Sequence, residues 1–434
     1  MSRKILGTSP VRPDGYGKVT GRDQFGPDVL LPGMVYAKIL RSPYPHARIL
    51  RVDTSKAEAL PGVLAVVTGR DFPELTSREA VDAGEESIEA RFMTALCMAR
   101  EKVHFKGQPV AAVAATSTHL AEEALALIEV EYELLPVVDD PLEAMKEGAP
   151  LLHGDLFTES LAGRGSKPSN IAGHRRLERG DVEAGFAEAD LVVEREFRTE
   201  MVHQGYIEPQ NSTAWASPDG RITIWTSTQG AWDIRSQVAT ILQVPQGQVR
   251  VIPMEIGGGF GGKFTAYLDP VVALLSKKCG RPVKAVMTRA EVFQATGPSS
   301  GTYIRVKIGA KRDGRLTAAE AFLVYDAGAF PGSPVGSACV TGLAPYKIPN
   351  FRIDGYDVVT NKPRVKAYRA PGATPVSFAV ESVIDEICVK LGIDPVDLRL
   401  KNAVEPGDRA PNEVEYNSIG LKELLQRVKE HPHY

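Results

Sequence analysis

Seven residues, Gly257-Gly258-Gly259-Phe260-Gly261-Gly262-Lys263, set five glycines around one phenylalanine and constrain the fold more than any other stretch of the 434-residue chain. Residues without a Cβ let backbone amides come close to a ligand or to another segment. The run follows a predicted helix with Ile234, Val238, Ile241 and Leu242 on one face, and a strand from Val249. It satisfies GxGxxG, yet a dinucleotide site needs a parallel βαβ unit with an acid about 20 residues on, and Pro282 holds that place. It also nearly matches a phosphate-binding P-loop ending at Lys263, with Phe322-Leu323-Val324-Tyr325-Asp326 as the strand bearing a magnesium-binding acid. Phe264 stands where such a loop needs a metal-binding hydroxyl, and a phenyl ring cannot ligate magnesium. A bare glycine turn without a ligand remains as the plain reading of this segment alone.

The surrounding patterns predict an α+β protein of two or three domains. In the first part, strands at Val35 to Leu40 and Pro109 to Ala115 are separated by turn-rich stretches such as Ser42-Pro43-Tyr44-Pro45. A helix from about Thr118 aligns Leu120, Ala124, Leu127 and Ile128. The pattern then switches to strict alternation, with Val130, Tyr132 and Leu134 opposite Glu129, Glu131 and Glu133. Residues 163 to 173, rich in Gly, Ser, Pro and Arg, read as an interdomain crossing, which gives a first domain over 1–150, a linker over 151–176 and a second domain over 177–434. Turns at Pro218-Asp219-Gly220 and Arg312-Asp313-Gly314 predict two antiparallel hairpins. A late helix from about Thr374 carries Val376, Val380, Val383, Ile384, Ile387 and Leu391 on one stripe and stops at Gly392. Asp394 caps the next, with Pro395 at its first position. An amphipathic helix through Leu421, Leu424, Leu425 and Val428 closes the chain.

Composition excludes several partners. A net charge of -3 leaves no excess of cations for a phosphate backbone, so neither nucleic acid nor an anionic membrane is expected to bind. The start, Met1-Ser2-Arg3-Lys4-Ile5-Leu6-Gly7, has no apolar stretch long enough for a signal peptide, and a cytoplasmic protein is expected. Cys97, Cys279, Cys339 and Cys388 are too far apart for any CxxC unit and read as buried free thiols rather than zinc or iron-sulfur ligands.

Three further segments change the weighting of the glycine loop. These are His203-Gln204-Gly205-Tyr206-Ile207-Glu208-Pro209, then Ser227-Thr228-Gln229-Gly230, and Ala367-Tyr368-Arg369-Ala370-Pro371-Gly372. In this order and spacing, together with the glycine loop, they resemble the molybdopterin-binding subunit of the xanthine oxidase family. Val11-Arg12-Pro13-Asp14-Gly15, Arg41-Ser42-Pro43-Tyr44-Pro45-His46-Ala47 and Leu391-Gly392-Ile393-Asp394-Pro395 extend the resemblance over essentially the whole chain. It implies an N-terminal α/β-hammerhead domain followed by the first of the family's two molybdopterin-binding domains. It also implies a molybdenum hydroxylase, an oxidoreductase that oxidises a carbon of an N-heteroaromatic, aldehyde or similar small organic substrate with oxygen from water.

The resemblance also assigns residues. Gln229 and Phe260 fall at catalytic positions, and Gln229, Gly259, Phe260, Gly261, Arg369, Ala370 and Gly372 at cofactor-binding ones; Glu208 and Phe264 are substrate-pocket candidates. The metal is held through the pterin dithiolene and by no side chain directly. Gln229 suits a neutral donor to a metal oxo ligand, and the Arg369 fork suits the anionic pterin unit. Members that oxidise xanthine carry a glutamate after the motif lysine and an arginine farther on; here Phe264 and approximately Gly336 hold those places, which favours a flatter, more apolar substrate than a purine. Ala370, in place of a copper-bridging cysteine, disfavours carbon monoxide oxidation. The second molybdopterin domain, with the catalytic glutamate, is expected on a separate subunit, a split that resembles nicotinate dehydrogenase. [2Fe-2S] and FAD subunits are expected as further partners. A non-catalytic scaffold, a truncated remnant and a P-loop nucleotide-binding protein are the alternatives.

Overall fold

The computed structural model describes residues 4–82 and 87–434, so Met1 to Arg3 of the opening segment lie outside it. Two seven-stranded sheets organise the chain. The first runs in the order Val249–Pro253, Ile222–Thr226, Asn211–Ala216, Val283–Val286, Val35–Arg41, Pro109–Ala115, Val63–Thr68. Three of its strands come from the N-terminal part and four from beyond residue 210. The seam between them is a parallel pairing, with Val35 opposite Val283. Pro109–Ala115, built only of Pro, Val and Ala, is buried at all seven positions, as a strand covered on both faces requires. One cover is the helix Thr118–Ala126, started by the Ser117 hydroxyl accepting from Leu120 N and burying Ala121 and Ala124.

The alternating strand Glu129–Leu134 pairs antiparallel with Ala47–Asp53. Val130 and Tyr132 pack against the small core beside it, but Leu134, the last residue of this edge strand, is 63% exposed.

The second sheet runs Gly163–Pro168, Phe157–Ser160, Ile171–Arg179, Asn350–Val359, Leu316–Gly328, Thr302–Ala310, Leu191–Thr199. The segment read as a linker over 151–176 is therefore corrected: it supplies two strands and begins a third. Its composition is still legible, since all six residues of Gly163–Pro168 are exposed. Such a strand is held at the sheet edge by main-chain hydrogen bonds to Phe157–Ser160 and not by burial. Helix Ala373–Leu391 covers the other end of this sheet with Val376, Val380, Val383, Ile384 and Ile387 buried, and stops where Gly392 turns left-handed. Asp394 accepts from Val396 N and Asp397 N to start Pro395–Asn402. The last helix, Leu421–Glu430, buries no residue, and Leu424 is 60% exposed.

The sheets meet at an aromatic stack in which the His104 ring lies 4.8 Å from that of His153 and 5.2 Å from that of Phe330. Asn361 stitches the same junction, accepting from Val138 N and donating to His104 O. Cys97, Cys339 and Cys388 are buried free thiols, while Cys279 is half-buried. Among the described residues no helix is long and apolar enough to cross a membrane.

Candidate functional site

Strands Ile222–Thr226 and Val249–Pro253 are neighbours and parallel, so the loops at their C-terminal ends emerge side by side. These are Ser227–Gly230 and the glycine run. Gln229 N and the Thr228 hydroxyl both donate to Lys263 O at 3.0 Å, and Gln229 Oε1 accepts from Gly261 N at 2.9 Å and Lys263 N at 3.3 Å. Two amides on one oxygen fix which way the side-chain amide faces. Nε2 is thus turned away from the loop, and among the described residues it donates to nothing. The closeness needs glycine: a Cβ on Gly259 would lie 2.4 Å from Gln229 Oε1, and one on Gly261, at φ +104°, 2.5 Å from Ala367 O. Between them Phe260 takes the left-handed conformation, φ +54°, with its ring 46% exposed.

The third loop joins through main chain. Arg369 N donates to Phe260 O at 2.9 Å, while Gln204 Nε2 ties Ala367 O and Gly297 O together from below. Ala370 is left-handed at φ +67°, and the Tyr325 hydroxyl donates to Gly372 O where helix Ala373–Leu391 begins. Tyr368, Arg369 and Ala370 are exposed, and the Arg369 guanidinium has no hydrogen-bond or ion-pair partner among the described residues. Gln229, Gly259, Phe260, Gly261, Arg369 and Ala370 therefore gather, whereas Gly372 sits behind them at the helix start. Phe264 lies half-buried under Gly230, where a Cβ would come within 2.8 Å of its ring.

Glu208 is not on this surface. It is 8% exposed, and its Oε2 accepts from Lys263 Nζ at 2.8 Å, Ser227 Oγ at 2.6 Å and Gly257 N at 2.8 Å, while Asn211 donates to Oε1. Burial alone would raise this carboxyl, but the bonds from Lys263, Ser227 and Gly257 outweigh it and hold it below the usual range. The candidate pocket residue is thus corrected to a brace beneath the glycine loop. Lys263 shares its fate, since its fully buried ammonium also donates to Ser227. Sequence reasoning passed over Lys263, Ser227 and Gln204 as structural groups; their only signal was polar character inside the motifs.

The P-loop reading fails on the same geometry. Its lysine must reach a phosphate, and Lys263 is spent on Glu208. The next helix starts only at Asp269, and the Asp326 carboxylate is buried against Gly328 N, Thr360 and Lys362. A molybdopterin-type group does fit what is present: close-packed Cβ-free backbone carrying an exposed Phe260, with a neutral amide donor at Gln229 and an exposed guanidinium at Arg369, donors suited to an anionic ligand.

Residues 164–403 match the molybdopterin cofactor-binding domain, and residues 20–136 match the a/b hammerhead domain of aldehyde oxidase and xanthine dehydrogenase. The chain belongs to this molybdopterin cofactor-binding family. It is 38% identical to a probable xanthine dehydrogenase subunit of Bacillus subtilis (strain 168) over 98% of this chain and 54% of that protein. To the nicotinate dehydrogenase large molybdopterin subunit of Eubacterium barkeri it is 34% identical over 98% of this chain and 96% of that subunit. The crystal structure of quinoline 2-oxidoreductase from Pseudomonas putida 86 superposes with a TM-score of 0.88 at 30% identity, covering 99% of this chain and 54% of that one. The chain thus spans about half the length of several relatives and nearly all of the Eubacterium subunit.

Proposed function

We propose that this chain forms one wall of the cofactor site of a molybdenum hydroxylase, an oxidoreductase of small N-heteroaromatic, aldehyde or similar substrates that works in the cytoplasm. The observation that carries the reading is the meeting of three separate loops, fastened by Arg369 N to Phe260 O and Gln229 Oε1 to Gly261 N, on a face with unspent donors. When bound, the molybdenum cofactor supplies the redox chemistry that places a water-derived oxygen on a substrate carbon and takes up two electrons.

This chain's residues bind and orient. Gln229 Nε2 would offer the bound cofactor a neutral hydrogen bond that adds no charge there. The Phe260 ring and Gly261 backbone would line the cofactor site, and Arg369 with Ala370 would hold its anionic pterin unit. Phe264, and approximately Gly336, bring no polar side chain of their own to anchor a purine at those two places. A second molybdopterin-domain chain carrying the catalytic glutamate, a [2Fe-2S] chain and an FAD chain complete the enzyme.

Purification of the complex through this chain, followed by metal analysis, should return stoichiometric molybdenum together with iron and flavin. A complex devoid of molybdenum would overturn the reading. Gln229→Ala should lower kcat about 100-fold, the usual effect of losing one preorganised donor, with molybdenum content largely retained.

A further inference from the structure

A cavity of about 490 Å³ opens beside the Arg369 loop, with Pro371 on one side and the strand Ile171–Arg179 and the short helix Val335–Thr341 on the others. That volume falls within the range of small-molecule sites. Its lining is mixed, with Pro334, Val335 and Pro371 beside Ser333, Ser337 and Asp357, and with Leu161 at its exposed rim.

Gly336, on the short helix, does not face open space. A Cβ there would lie 3.2 Å from Arg175 Nε, 3.5 Å from its Cδ and 3.7 Å from its Cζ. A guanidinium therefore covers the bare helix position, delivered from a different element, the strand that pairs Arg175 with Gly355. The pleat of that strand separates Arg175 from its neighbours. His174 and Arg176 point to the other face, where both bind Asp354, at 2.7 and 2.8 Å. Arg175 makes no hydrogen bond or ion pair among the described residues.

Two acids, Asp357 and Glu159, also border the cavity, and among the described residues neither pairs with Arg175. Asp357 accepts from Gly332 N and Ser333 N, each at 3.0 Å, and Glu159 lies 3.5 Å from Arg164. Arg175, exposed at the open side of this mixed polar and apolar cavity, is left without a partner among the described residues, and its planar fork matches a carboxylate in two parallel hydrogen bonds.

We propose that Arg175 is a specificity residue that binds the carboxylate of a small aromatic acid in this cavity, with Leu161, Pro334 and Pro371 against the ring. The proposal rests on the function given above and narrows its substrate class to carboxylated rings.

Titration of the purified complex with benzoate and with benzamide, which differ in charge and share the ring, tests it. The wild-type complex should prefer benzoate by about tenfold or more, and Arg175→Met should erase that preference. Arg175→Lys should restore part of it, because it keeps the charge and loses the fork. Equal benzoate affinity in wild type and Arg175→Met overturns the proposal. So does release of a partner chain by Arg175→Met, which would make the guanidinium an interface ion pair. Molybdenum content and turnover of an uncharged aldehyde, measured on the same wild-type preparation, report on the function separately. Their absence with benzoate preference intact overturns the molybdenum reading alone.

Discussion

At the scale of single residues, the polar groups of the motifs divide into those that face outward and those that hold the loop. Gln229 does both, one end of its amide spent on Gly261 and Lys263 and the other free. Its identity as a neutral donor was legible in the sequence; its orientation was not, because only the two facing amides decide it. Glu208 shows the opposite outcome. Next to Pro209 and inside a motif it read as a pocket residue, and burial beside Lys263 makes it a brace. Removing the charge from one partner of a buried pair leaves the other uncompensated, at a cost of about 3–5 kcal/mol. Glu208→Gln should therefore lower the melting temperature markedly, and adding Lys263→Met should recover much of the loss in the same thermal scans. Because the folded Glu208 carboxyl sits below its ordinary value of 4.5, its stabilising effect is full above that pH and disappears only as pH falls further, through the folded value.

At the scale of elements, periodicity was the reliable guide. The stripe of helix Ala373–Leu391 and the caps at Gly392 and Asp394 appear as the spacing predicts, because a helix satisfies its backbone locally and needs only one apolar face. Gly163–Pro168 could not be read that way. A polar, glycine-rich run becomes a strand here through hydrogen bonds to Phe157–Ser160, and nothing in its own residues announces that partner. The glycine loop lies between these cases: its need for close approach was visible, its neighbours were not. Gly261→Ala tests the closeness. At φ +104° with Ala367 O only 2.5 Å from the new Cβ, the loop must shift away from the Ala367–Arg369 segment. Molybdenum content of the purified complex should fall severalfold while the far-ultraviolet circular dichroism stays that of wild type.

At the scale of the whole molecule, the N-terminal part and the later domain share one sheet and one aromatic junction. Burial holds His46, His104 and His153 below the ordinary histidine value of 6.5, with His153 at about 4, and nearby Lys102 adds to the effect on each. Folding thus favours their neutral forms. Their contribution to stability is complete above about 6.5 and is lost as pH falls from there through each folded value, about 4 for His153, since the unfolded chain takes up protons first. Melting temperatures measured from pH 7.5 down to 4 should fall across that window. His104→Phe, which removes the buried Nδ1 that lacks a partner, should make the fall shallower.

Local structure and the chemical inventory were readable from the order of residues: which runs coil, which turn tightly, where a neutral donor, a cation and a Cβ-free loop lie along the chain. These follow from backbone sterics and from spacing within a few residues. The tertiary structure alone decided that Val35 pairs with Val283, that Lys263 is buried on Glu208, and that Arg175 rather than a helix side chain covers Gly336. Strand pairing and side-chain burial join residues far apart in the chain, and the free energy of each such contact depends on every other segment that comes with it.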